Sequence, residues 1–282
     1  MKSIIKWLGS KNKLLPIIKE NMPLEYNKYI EPFFGSGTLF FNLQPEKAVI
    51  NDINENIISL FKIVKDENEK DKLYNEIKKL DEQYYKLPFE KRKEYFFSIR
   101  DLFNTMTEPD IKKITLFVFL TNRCFNGIFK INKHGKCIVG FGEIKNAKRK
   151  NTIDKDKLDE MSKYLYENDI LILNKDFNDI IEFSKENDFV YLDPPYVKND
   201  KNSFTMYSKN DFGKEDNNRL YEMFKYLDNK KVKILMHNHN TDEIREKYKE
   251  WTIIPLKVNR FMSGRKNMKK MDYYNEVLIK NF

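Results

Sequence analysis

An α/β fold, with a sheet covered on both faces and a mainly helical insertion, follows from three features of the sequence. Short apolar runs of strand length recur toward both ends: YIEPFF (29–34) and AVINDI (48–53), then ILIL (170–173), FVYL (189–192), KVKILM (231–236), WTIIPLKV (251–258) and EVLI (276–279). Segments of helical period such as TLFFNL and NNRLYEMFKYL separate them, and strands alternating with helices build a sheet buried on both sides. The third feature is the interval after Asn54, charged and helical through ENIISLFKIVKD, KLYNEIKKLDEQYYKL and KRKEYFFSIRDLFNTM, then loop- and hairpin-like in NRCFNGIFKINKHGKCIVGFGE. It interrupts the strand–helix alternation, which divides the chain into an α/β domain of residues 1–54 and 166–282 and an insertion of residues 55–165.

A chain of 282 residues that is 40% hydrophobic can bury one sizeable core with a smaller module attached. Lys and Arg number 52 against 43 Asp and Glu, a formal charge of +9. That balance suits a polyanionic partner, and equally a lysine-rich composition. The basic clusters KNAKRK (145–150) and GRKNMKK (264–270) carry the same two readings. Two cysteines, Cys124 and Cys137, exclude a disulfide scaffold and a multi-cysteine zinc site, so a reducing cytoplasm is expected. MKSIIKWLGSKNK has no signal-peptide core, and no window approaches a membrane span of ~20 apolar residues. A soluble, unprocessed chain with no membrane partner is expected. His237-Asn238-His239 spells HNH, but it sits at a strand's end with only His134 besides, so no metal site is expected.

Two stretches carry chemistry. EPFFGSGTLFF places Gly35-Ser36-Gly37 after a strand and at the mouth of a helix, where a ligand can approach backbone N–H groups. A nicotinamide fingerprint wants a third glycine where Phe40 stands, so a dinucleotide is disfavoured. Asp52 closes the next strand, placed either to accept both hydroxyls of a ribose or to cap the helix in NDINEN. In FVYLDPPYV an apolar strand runs into Asp193, Pro194, Pro195 and Tyr196. The prolines fix φ and remove donors at the strand's C-terminal end, where open α/β sheets bind ligands. Alone, the tetrapeptide also suits a tight turn. FTMYSKNDF (204–212) is either a loop over the substrate or a surface connection.

Taken together, KWLGSKNKLLPII, IEPFFGSGTLFF, NDINENII, NRCFNGIFKINKHG, NKDF, YLDPPY and NEVLI resemble the successive blocks of the Dam-type DNA adenine-N6 methyltransferases, in that family's order and across nearly the whole chain. The resemblance implies a Rossmann-like S-adenosylmethionine-dependent methyltransferase sheet with an inserted recognition domain, acting on a flipped-out adenine in duplex DNA. The exocyclic amine of adenine is a poor nucleophile because its lone pair is delocalised. A carboxylate at Asp193 and the carbonyl of Pro194 can accept its hydrogens and bias the nitrogen toward tetrahedral geometry, and Tyr196 would stack on the base. For S-adenosyl-L-methionine the resemblance implies Trp7, Lys11, Glu31, Pro32, Phe33, Gly35, Ser36, Gly37, Asp52, Asp176, Phe177 and Asp193. Asp176 also reads as a cap of DFNDIIEF.

Recognition would fall on the insertion, where Arg123, Asn126, Lys130, Asn132 and Lys133 alternate with aromatic residues. Such side chains read base edges and phosphates. Where members that read GATC tend to have arginine and proline, this chain has Lys130 and Gly140. Lysine lacks the planar fork suited to guanine, so the site is expected to be GATC-like at most. NPPY- or SPPY-type methylation of other amines, a catalytically silent DNA-binding regulator and an RNA adenine methyltransferase are the alternatives. A monomer without metal is expected.

Overall fold

Strand β1 (Tyr29–Glu31) is short because Pro32 follows it and cannot donate to a ladder. Among the described residues it is the third strand across a seven-stranded sheet with β2 (Lys47–Asn51), β3 (Asp169–Leu173), β4 (Phe189–Leu192), β5 (Lys233–His239), β6 (Thr252–Leu256) and β7 (Glu276–Lys280). The order is β3-β2-β1-β4-β5-β7-β6. The first five strands are parallel, and β7 is antiparallel to both its neighbours. The computed structural model describes residues 1–132, 134–142, 151–195, 212–256 and 276–282, with backbone only at Asn126.

Two hydrophobic clusters cover the two faces, and strand alternation assigns residues to each. Val190, Leu192, Ile234, Met236, Val277 and Ile279 pack under α8 (Lys214–Asn229) and α9 (Asp242–Lys247). Tyr29, Phe189, Tyr191, Leu235 and Leu278 share the larger cluster with α1 (Leu15–Glu20), α2 (Thr38–Leu43), α3 (Glu55–Lys65) and α7 (Lys155–Glu167). Both α3 and α7 pack beside β3. Asn54 caps α3 by accepting the Asn56 N–H at 3.0 Å.

The same cluster continues without a break into α4 (Glu67–Lys86), α5 (Phe89–Phe103) and α6 (Ile111–Arg123). Every residue of α6 from Lys113 to Arg123 is buried, the pattern of a central helix rather than an amphipathic surface one. After it the chain makes a short arm. Bridges join Cys124 to Phe141 and Ile131 to Cys137, and Ile138 N–H donates to the Lys130 carbonyl at 2.9 Å. The arm thus turns back on itself between two antiparallel bridges. Among the described residues no helix is long and apolar enough to cross a membrane.

Candidate active site

The C-terminal ends of β1, β2 and β4 meet beside the Gly loop, at the point where the sheet order reverses. Gly35 and Gly37 have φ of +52° and +65°, which L side chains rarely adopt. A Cβ on Gly37 would lie 2.3 Å from the Phe34 ring, so the second glycine is required by packing as well as by backbone. Asp52 ties this loop down: Gly35 N–H donates to its Oδ2 at 2.7 Å and Asn54 N–H to its Oδ1 at 2.9 Å. Burial pushes the Asp52 carboxyl up to about 6 against those two hydrogen bonds. Asn54, not Asp52, caps the helix. Asp52 keeps a lone pair on each oxygen for a ligand.

The pieces around the loop lock together. Ser36 and Ser10 both hydrogen-bond the Thr38 hydroxyl, at 3.1 and 2.8 Å. The Pro32 carbonyl accepts from Asn51 at 3.0 Å. Phe40, where a third glycine would stand, is fully buried against Phe34 and Phe41. Trp7 lies beside Gly35, and its ring stacks on Phe129 of the arm at 5.9 Å. Phe33 stacks on Phe177 at 5.1 Å, and Phe212 closes on both. Asp176 accepts from Asn178 N–H at 2.9 Å, so it caps the 3₁₀ turn Phe177–Phe183, and it also pairs with Arg219, whose guanidinium lies over the Phe177 ring.

Register explains the rest. Leu192 is level with Met236, which puts Asp193 level with His237, and His239 faces Glu276. Glu31, Asp193, His237 and Glu276 each sit two residues from Tyr29, Tyr191, Leu235 or Leu278, so all four share one face and form a polar row across β1, β4, β5 and β7. Asp193 Oδ2 pairs with Lys11 at 2.7 Å, and Oδ1 lies 3.4 Å from His237 Nδ1. His237 Nε2 meets Glu276 Oε2 at 2.8 Å. Burial raises the Asp193 carboxyl, but the Lys11 ammonium and the His237 hydrogen bond outweigh it and hold the group below its ordinary value. It is an acceptor-only carboxylate. Glu31 behaves oppositely: burial drives it well up, the Tyr29 hydroxyl at 2.8 Å resists, and the Asp193 and Asp52 charges add to the rise. The Asp193 and Asp52 charges that raise Glu31 would be relieved by a ligand bearing positive charge.

The structure therefore brings together Trp7, Lys11, Glu31, Pro32, Phe33, Gly35, Ser36, Gly37, Asp52 and Asp193, with the buried Pro194 and half-buried Pro195 beside them. Asp176 and Phe177 stand on the Phe33 side of that edge. Tyr196, Lys133, the clusters at 145–150 and 264–270 and most of 204–212 lie outside the described residues, as does the side chain of Asn126. Arg123 is a correction. Instead of facing outward it is 7% exposed, donates to Asp81 at 2.7 Å and lies over Phe119 and Tyr84. A guanidinium used in this way is not presented to a partner. Asn132 accepts from His134 and Lys136 N–H and so organises the arm's turn, while Lys130 is half-exposed. Among the described residues no group of three His, Cys, Asp or Glu is disposed to hold a metal. His237, read from the sequence only as part of HNH, and Glu276 were not assigned to the site. The signal was there in the period of two along β5 and β7.

A seven-stranded sheet with its last strand antiparallel, a Gly loop after β1 and an acid-rimmed edge define a Rossmann-like methyltransferase. The family follows from comparison with known proteins. Residues 7–262 match the model of the D12 class N6 adenine-specific DNA methyltransferases, and the chain belongs to that family. It is 36% identical to the type II methyltransferase M.MjaIII of Methanocaldococcus jannaschii, over 100% of this chain and 99% of that one. It is 32% identical to the type II methyltransferase M1.LlaDCHI of Lactococcus lactis over 100% and 96%, and 30% identical to the DNA adenine methylase of Haemophilus influenzae over 92% and 87%. The chain is an adenine-specific DNA methyltransferase.

Proposed function

We propose that this enzyme moves a methyl group from S-adenosyl-L-methionine to N6 of an adenine flipped out of duplex DNA, within a GATC-like site. The observation that carries the reading is the Asp193 carboxylate, ionised and at the tip of β4, beside the acid-rimmed Gly loop. When bound, the cofactor supplies an electrophilic methyl on a sulfonium. Glu31, Asp52 and Asp193 suit that positive charge. Asp52 would take the ribose, Phe33, Asp176 and Phe177 would line the adenine end, and Trp7, Lys11, Pro32, Gly35, Ser36 and Gly37 would close the loop around the rest. Asp193 and the Pro194 carbonyl accept the hydrogens of the target amine, which localises its lone pair for direct attack. Pro195 holds that carbonyl in place, and Tyr196 stacks on the base. Lys11 shares Asp193 Oδ2 with the incoming amine, so its ammonium has to yield part of that contact.

The insertion at 55–165 carries target recognition in this reading. Helices α3 and α7 buttress the sheet and α6 is buried, which leaves the arm to reach DNA through Asn126, Lys130, Asn132 and Lys133. A monomer acting on double-stranded DNA suffices for this. Incubation with methyl-labelled cofactor and mixed-sequence duplex DNA is expected to label N6 of adenine, and sequencing of the product gives the flanking bases. Sequence-selective binding with no transfer would mean a silent regulator, and transfer to RNA alone would mean a different substrate.

A further inference from the structure

We propose that His237, backed by Glu276, is a positioning residue for methyl transfer: it holds the Oδ1 edge of Asp193 so that the carboxylate presents its remaining lone pairs to the target amine. The inference rests on the role assigned above to Asp193 and goes beyond it, because neither partner was part of that role.

The geometry is a line of three side chains on one face of the sheet. His237 is 0% exposed and Glu276 is 2% exposed. The ring lies between two carboxylates, with Nδ1 3.4 Å from Asp193 Oδ1 and Nε2 2.8 Å from Glu276 Oε2. Register enforces it, since His237 stands level with Asp193 across β4 and β5, and Glu276 starts β7 on the far side. The two ring nitrogens face different carboxylates rather than converging on a common point, which is why the row is a brace and not a metal cradle.

Proton counting gives the direction of the brace. A neutral imidazole has one N–H and one acceptor. If Nε2–H alone served Glu276, Nδ1 would point a lone pair at the Asp193 carboxylate and push it away. The Nδ1–H tautomer donates to Asp193 and turns the Nε2 lone pair toward Glu276, a pairing that a proton on Glu276 or on the ring itself completes. Both placements give the same result at Asp193, a donated hydrogen bond. The groups facing this chain among the described residues are Lys11, on the other oxygen of Asp193, and Glu31, whose charge is coupled to Asp193. With Lys11 on one edge and His237 on the other, the carboxylate is held from both sides. When the amine displaces Lys11 from Oδ2, His237 is the contact that keeps the group from rotating. Catalytic contacts of this length tighten in the substrate complex, and a misplacement of about 1 Å costs on the order of 100-fold in rate.

The test is single-turnover methyl transfer by the full chain with labelled S-adenosylmethionine and duplex DNA, alongside separate binding measurements. In His237→Leu the rate constant is expected to fall roughly 10- to 100-fold, while cofactor and DNA affinities change by about threefold or less. His237→Asn, whose amide can still donate to Asp193, is expected to recover a large part of the loss, and Glu276→Gln to show a smaller fall of the same kind. A His237→Leu enzyme with an unchanged rate overturns the proposal. So does one whose rate falls only in step with binding or melting temperature and is not rescued by asparagine. If His237→Leu does not fold, Glu276→Gln decides by the same split between rate and affinity. Failure of the underlying reading looks different, because Asp193→Ala would then turn over while these variants behave in any way.

Discussion

Replacing Arg123 by methionine separates a structural arginine from a DNA contact. Its guanidinium donates to Asp81 at 2.7 Å and to the Thr152 hydroxyl, with both charged partners below 10% exposed. Removing one member of such a pair strands the other in a low-dielectric interior, a loss of ~3–5 kcal/mol. Asp81 keeps hydrogen bonds from Thr152 N–H and Oγ1, both at 2.6 Å, which favours the lower end. Methionine also retains some contact with the Phe119 and Tyr84 rings, at the cost of the cation–π attraction. A loss of about 3 kcal/mol lowers the melting temperature by roughly 6–12 °C in a chain of this size. Scanning calorimetry of Arg123→Met, Asp81→Asn and the double variant measures it. The double variant is expected to be more stable than the sum of the single losses predicts, since it leaves no unpaired charge. An unchanged melting temperature with weakened DNA binding would refute the interior assignment and return Arg123 to the DNA surface.

Three further outcomes follow from the site. Gly37→Ala drives a Cβ to 2.3 Å from the Phe34 ring at φ +65°, so calorimetric cofactor binding is expected to weaken at least tenfold; unaltered binding would mean that the loop is not the cofactor cradle. Asp52 titrates near 6 because burial raises it, so its ligand-binding ionised form is lost as pH falls through that value. Cofactor affinity is therefore expected to rise about tenfold from pH 5 to pH 7, and Asp52→Asn should flatten that rise. Lys11→Met removes the strongest influence holding Asp193 down. Since the ionised carboxylate is the working form, the acid limb of the single-turnover rate should move to higher pH, and an unmoved limb would show that Lys11 does not govern Asp193.

The fold was legible where the chain repeats a simple period. The runs at 170–173, 189–192 and 276–279 became β3, β4 and β7 with edges shifted by a residue or less, because apolar strand length is a local property. YIEPFF overshot, because Pro32 ends the ladder after Glu31. DFNDIIEF became a 3₁₀ turn, held by Asp176 and Arg219 rather than by helix propensity. The Gly loop and DPP could be placed in advance because special backbone and missing donors are written in residue type. What sequence could not supply was register. Whether His237 faces Asp193 or the opposite cluster depends on a pairing of β4 with β5 fixed across more than forty residues. Arg123 failed for a related reason: an arginine within NRCFNG looks like a base reader until Asp81, on a different helix, is found beside it.

The position of the target amine decides the chemistry at Asp193. A structure of the enzyme with a non-reactive cofactor analogue and duplex DNA carrying its methylation site measures this directly. The prediction is an extrahelical adenine whose N6 lies within about 3.2 Å of both an Asp193 oxygen and the Pro194 carbonyl. An adenine still stacked in the duplex, or one whose N6 is turned away from Asp193, would contradict it.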